Sequence, residues 1–201
     1  MKRIIALLLL AVISVSCFAA CSEDEKQEGF VYDQNKNYKA EIIIEDYGSI
    51  HLTFDSKQAP ITVENFVTLA ANGFYDGLTF HRIMNGFMMQ GGDPNGNGTG
   101  GAEKDIVGEF TANGHQNNIS HKRGVISMAR AKAYNSASSQ FFIMHQDYTG
   151  LDGQYAAFGY VTDGMSVVDK ICTEAMPIDS NGTIPASKQP VIEKIKITWD
   201  E

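Results

Sequence analysis

Arg82 is the residue whose surroundings most need a chemical explanation. It stands in "TFHRIMNGFMMQGGDP", Thr79 to Pro94, beside His81 and ahead of Phe87, Met88 and Met89, with Gln90 eight positions on and no acid before Asp93. A guanidinium stays charged at any ordinary pH and donates hydrogen bonds in a rigid fork, so one set among apolar side chains implies an acceptor that the local sequence does not supply. Other chemistries find less support. The histidines at 51, 81, 115, 121 and 145 show neither H-x-H, HExxH nor cysteine-paired spacing, so no metal site is expected. "SASSQ" lacks the glycine-flanked elbow of hydrolases, and no Ser, His and Asp set stands out. "GNGTGG" holds a literal G-x-G-x-x-G at Gly96, Gly98 and Gly101. No helix pattern follows it, no βαβ unit surrounds it, and His121 and Lys122 stand where the acidic partner belongs, so it reads as a surface loop that needs glycine conformations.

The elements that must position Arg82 follow from periodicity. Ile42 and Ile44, then Ile50, Leu52 and Phe54, alternate with polar residues across a turn at Asp46 to Ser49, which predicts an antiparallel hairpin. "APITVENFVTLAANG" changes to helical spacing, with Val63, Phe66, Val67 and Ala70 on one face, Pro60 near its start and Gly73 past its end. Short apolar pieces between glycines follow at 78–83, 87–90, 125–129, 140–144 and 156–161. "DGMSVVDKICTEA" gives a second helix with Met165, Val168 and Ile171 or Cys172 inward, and "IEKIKITWD" closes with Ile195, Ile197 and Trp199 alternating. Regular short strands with turn signals predict a barrel or sandwich. The expected fold is mainly β, a closed antiparallel domain with two helices over residues 38–201.

With 201 residues, 43% hydrophobic and 20% charged, the chain has room for one such domain. The first twenty residues differ from the rest: Lys2 and Arg3 precede an apolar run from Ile4 to Val15 that ends in small residues. That pattern predicts a secretory signal, residues 1–20. A retained membrane helix is the alternative, since 17 residues from Ile4 to Ala20 approach a spanning length. "FAACS" resembles the lipobox of bacterial lipoproteins, with Cys21 as the lipidated cysteine; Cys17 and simple signal cleavage are the other options. Residues 21–37 are polar, acidic at their start and aperiodic, as in a solvated tether. The expected localisation is therefore exported and membrane-anchored through the lipid. Cys172 would be left without a disulfide partner. The formal charge of −8 becomes −10 without Lys2 and Arg3, 14 basic against 24 acidic residues, which argues against nucleic acid as a partner. No oligomer interface is legible, and a monomer is expected.

Taken in order, "FHRIMNGFMMQGGD", "RGVISMARAKAYNSASSQFFIM" and "LDGQYAAFGYV" resemble the cyclophilins, the cyclosporin-binding peptidyl-prolyl isomerases, most closely their bacterial branch. The resemblance covers the domain from about Tyr38 to Trp199. It implies an eight-stranded antiparallel β-barrel capped by two α-helices, with the site in an outer groove. Carried over by motif, Arg82 and Gln90 are catalytic; His81, Phe87, Met88, Ala129, Arg130, Gln140, Phe142, Leu151 and Tyr155 bind substrate. Arg130 falls where the eukaryotic archetype has asparagine, a position that acts through its backbone N–H, so the side-chain change is expected to be tolerated. Tyr155 falls where many members carry histidine. Gly150 replaces the tryptophan of drug-sensitive members, so weak cyclosporin binding is expected.

Such an isomerase needs no cofactor or metal. The barrier to X–Pro rotation comes from delocalisation of the nitrogen lone pair, and the catalyst need only bind the twisted bond better than either planar isomer. Arg82 would donate to the prolyl nitrogen as its lone pair is freed, which is the missing acceptor. Periodicity alone also fits a buried strand over Phe87 to Met89 with Arg82 in a surface salt bridge. Proline-containing exported polypeptides are the expected partners. A non-catalytic proline-binding module or holdase chaperone is the alternative function.

Overall fold

The computed structural model describes residues 29–200. Cys21, the signal and most of the tether lie outside the described residues. Eight strands form one antiparallel sheet: β1 Asn37–Ile44, β2 Gly48–Phe54, β3 Thr79–Met84, β4 Met88–Asp93, β5 Val125–Met128, β6 Phe141–Met144, β7 Ala157–Asp163 and β8 Ile192–Asp200. Helix α1 spans Pro60–Ala71 and α2 spans Met165–Glu174. The β1–β2 hairpin turns where expected, with Asp46 at φ 62 and Gly48 at φ 108.

The strand order is β3-β4-β6-β5-β7-β2-β1-β8, a curled but open sheet, which corrects the expectation of a closed barrel. Its two edges, β3 and β8, meet only at one end. Thr79 and Val191 form an isolated bridge, and the seam's backbone bonds run from Gly77 to Ile192, Phe80 to Pro190 and Ile192 to Leu78. Pro190 has no N–H to continue the ladder, and the rest of β8 packs against α1 instead.

Period two then creates two cores. Met89, Ile126, Phe141, Ile143 and Phe158 face inward, where Phe66 packs edge-on against Phe141 at 5.3 Å and Tyr75 does so at 5.6 Å. Met88, Val125, Phe142, Met144 and Ala157 face the other way and are also buried, because loops cover them. This explains why β5 and β6 read as continuous apolar runs without alternation. α1 starts on Pro60 with no cap from its own chain segment. Glu109 supplies it, accepting from Ile61 N at 3.0 Å, Thr62 N at 2.8 Å and Thr62 Oγ1 at 2.7 Å. Phe30 and Tyr32, in the segment read as tether, pack on Tyr38, with ring centres 6.0 and 4.9 Å away. Among the described residues no helix is long and apolar enough to cross a membrane.

Candidate active site

Strand register builds the site. Arg82 pairs with Gln90, Gln90 with Phe142 and Phe142 with Ser127, so one row crosses β3, β4, β6 and β5 on the outward face. The next row is Met84, Met88 and Met144. Arg82, Met88, Gln90 and Phe142 of these rows, with residues of the covering loops, line a cavity of about 150 Å³, floored by Phe87, Met88, Phe142 and Leu151 and rimmed by Arg82, Gln90, Ala129, Arg130 and Tyr155. That is well below the roughly 300–1,000 Å³ of whole small-molecule sites, so it suits one small apolar ring.

Arg82 is held on three sides. Its Nε donates to the Asn181 carbonyl at 2.7 Å, Nη1 to Gln90 Oε1 at 3.2 Å, and Nη2 lies 3.2 Å from Met84 Sδ. None of the ion pairs among the described residues involves it, so the surface salt bridge allowed by periodicity is absent. Partial burial lowers its pKa, opposed by Tyr155 and Asp179, yet a guanidinium remains protonated at neutral pH. Gln90 in turn donates to Gln140 Oε1 at 2.9 Å, and Gln140 to the Gly100 carbonyl at 2.7 Å. The order of these amides fixes Gln90 as acceptor toward Arg82.

Gln140 stands outside the small cavity. It lines a neighbouring one of about 330 Å³ whose far wall is the glycine loop 98–101. Gly96 and Gly98 have φ of +60 and +89, as a glycine-dependent turn requires, and the buried Asp93 carboxylate accepts from the N–H groups of Asn95, Asn97 and Gly98. His81 also lies outside the small cavity. It is only 4% exposed, and neither ring nitrogen has a partner. Burial lowers its pKa, with Arg82 adding to that and Asp93 opposing it. The expected place at the groove edge is thus a place behind the groove.

Residues 39–198 match the family described as cyclophilin type peptidyl-prolyl cis-trans isomerase/CLD. The chain belongs to the cyclophilin family. A peptidyl-prolyl cis-trans isomerase of Helicobacter pylori is 48% identical over 126 residues, 62% of this chain and 74% of that one. Isomerase B of Bacillus subtilis is 45% identical over 123 residues, 61% and 82% of the two chains. A crystal structure of a Cryptosporidium parvum cyclophilin, determined in the presence of the dipeptide Ala-Pro, matches at TM-score 0.70 and 29% identity, covering 81% of this chain and 99% of that one.

Three features of this cyclophilin escape a reading of its sequence. Tyr148, an exposed residue, sets its ring edge-on to Phe87 at 5.1 Å, and a Cβ added at Gly150 would lie 2.9 Å from that ring. The tyrosine thus occupies the space a side chain at Gly150 would enter. Behind Phe142, His121 Nδ1 lies 2.9 Å from Asp152 Oδ1 and Nε2 lies 3.0 Å from Ser127 Oγ. This has the order of a nucleophile relay, but Ser127 and His121 are fully buried, so no substrate reaches it; burial also lowers the His121 pKa. The His121 ring stacks on Phe142 at 6.0 Å and 18°, bracing the cavity floor. Third, the Arg130 side chain is engaged between two loops, where only its backbone was expected to matter. Distance along the chain hid the contact of Tyr148 with Phe87 and the His121 relay, and the family pattern hid the third.

Proposed function

We propose that this cyclophilin accelerates cis–trans rotation of X–Pro bonds, with Arg82 and Gln90 as catalytic residues and the 150 Å³ cavity as the proline site. One observation carries the reading: a guanidinium free of any carboxylate is aimed along the rim of a ring-sized apolar cavity. Phe87, Met88, Phe142 and Leu151 hold the pyrrolidine as a pivot. Arg82 donates to the prolyl nitrogen only when twisting frees its lone pair, so the bond forms in the transition state and not in either ground state. Gln90 orients Arg82, Gln140 orients Gln90, and the N–H of Arg130 holds the carbonyl of the residue before proline. Shortening a ~100 s exchange to ~1 ms requires about 10⁵-fold, roughly 7 kcal/mol. A hydrogen bond from a charged donor supplies about 1.5–3 kcal/mol of that, and fixing the ring while water is excluded supplies the remainder.

The test is exchange in a proline peptide beside an aggregation-suppression assay. Arg82→Ala should lose at least about tenfold in kcat/KM, the smaller end of that hydrogen-bond range, with peptide binding retained. An Arg82→Ala protein as fast as wild type would remove the mechanism; suppression of aggregation with no exchange by wild type would instead favour a holdase.

Proline-containing segments of exported proteins are the proposed partners, a reading supported by the Ala-Pro used with the related structure and by the N-terminal sequence. We propose residues 1–20 as a lipoprotein signal, Cys21 as its lipidated residue and the following acidic stretch as the tether. Metabolic lipid labelling should vanish in Cys21→Ala; labelling lost in Cys17→Ala instead would move the anchor. Cyclosporin should bind weakly, because Gly150 offers no aromatic wall where drug-sensitive members carry tryptophan.

A further inference from the structure

Arg130 binds two stretches of chain beside the groove. Its guanidinium carbon lies 5.1 Å from the ring centres of Phe110 and Tyr134 and 4.8 Å from that of Tyr155. Nε and Nη2 donate to the Gln154 carbonyl at 3.0 and 2.9 Å, and Nη1 donates to the Ala131 carbonyl at 3.0 Å. The loop after β5 is thereby tied to the loop before β7. No ion pair among the described residues uses Arg130; rings and carbonyls hold its charge, an arrangement that needs a planar fork.

The tie stands where the two cavities meet. Gln90, Ala129 and Arg130 line both the 150 Å³ and the 330 Å³ spaces. If the Arg130 N–H holds the carbonyl before proline, the preceding residues of a peptide leave the proline cavity over this ridge and enter the larger one. We propose that Arg130 is a specificity-determining positioning residue, a strap that fixes the ridge between the two cavities and so sets which side chains before the X–Pro bond the groove accepts. The inference rests on the isomerase reading above. The strap grips both isomers and the transition state alike, so its loss raises KM and leaves the chemical step alone.

The experiment measures exchange kinetics and binding constants for proline peptides that carry glycine, alanine, phenylalanine or glutamate at the two positions before proline. Arg130→Ala should raise KM about fivefold for the best peptide with kcat within about twofold, the scale of a cation–π contact with its hydrogen bonds. The spread of kcat/KM across the set should narrow by a similar factor. Arg130→Lys should resemble Arg130→Ala, because lysine lacks the fork. Tyr134→Ala, which removes a cage wall outside both cavities, should shift the same quantities by less. Wild-type KM and spread in Arg130→Ala, full recovery by Arg130→Lys, or a loss in kcat alone would each overturn the strap. The binding constants separate the two readings: a wild type that fails to accelerate exchange, but whose binding spread narrows in Arg130→Ala, retains the strap and loses the isomerase.

Discussion

Replacing Gly182 by alanine should slow catalysis from a position outside the cavity. Gly182 has φ +87, and an added Cβ would lie 2.5 Å from Met84 Cγ and 2.8 Å from the Ile83 carbonyl oxygen. The methionine can swing away; the backbone oxygen cannot. Left-handed backbone at a non-glycine residue costs about 1–3 kcal/mol, so the turn is expected to move. That turn is braced by Asp179, which accepts from Asn181 N and Thr183 N at 3.0 Å each, and by Ile83 N donating to the Gly182 carbonyl at 2.8 Å. Its movement withdraws the Asn181 carbonyl that fixes Arg82 Nε. Losing one hydrogen bond to a charged group is worth about 1.5–3 kcal/mol, or roughly 10- to 150-fold. The fall should lie in kcat, because the cavity floor is untouched and Gln90 still holds Nη1. Exchange spectroscopy on a proline peptide reads both constants, with circular dichroism as the check on folding. A folded Gly182→Ala protein with kcat within twofold of wild type would refute the clamp, as would a loss confined to KM.

Stability should fall below about pH 6.5 while activity stays nearly flat from about pH 6 to 8. Burial lowers the pKa of both His81 and His121, so on acidification the unfolded chain takes up protons that the folded chain refuses, and the stabilising difference is lost as pH drops. Each group contributes a slope of up to about 1.4 kcal/mol per pH unit in that window, whereas the lowered Asp93 and Asp152 act only nearer pH 4. Urea midpoints at pH 7.5 and 5.5 test this, and an equal or higher midpoint at pH 5.5 would contradict it. Cys172 is 1% exposed, and burial pushes its thiol up to about 12, so a thiol reagent should label it only at the rate of unfolding; rapid native labelling would be inconsistent with that burial.

The strands, both helices and the row from Arg82 to Phe142 were legible because period two and family motifs mark side chains by type. Nine of the eleven predicted site residues meet at one cavity. What stayed hidden has a common physical origin. Asn181 acts through a carbonyl 99 residues from Arg82, and any residue type carries a carbonyl. Glu109 caps a helix 48 residues away, and His121 reaches Asp152 over 31; neither has a local pattern. Arg130 was read through the backbone role of its position, which conceals what a longer side chain can reach. The open seam depends on Pro190 and on α1 taking the place of a strand partner, neither of which alternation records.

The strand Phe141–Met144 is buried on both faces, with Phe141 in the main core and Phe142 under the groove. No local opening can free Phe142 without dismantling the domain, so amide exchange there should report global unfolding. The groove therefore divides into a strand-borne part, Arg82, Met88, Gln90 and Phe142, that change can reach only at the expense of the site or the fold, and loop-borne walls that can diverge. Lineages of this fold are then expected to keep the ring they recognise and to vary the neighbours they accept.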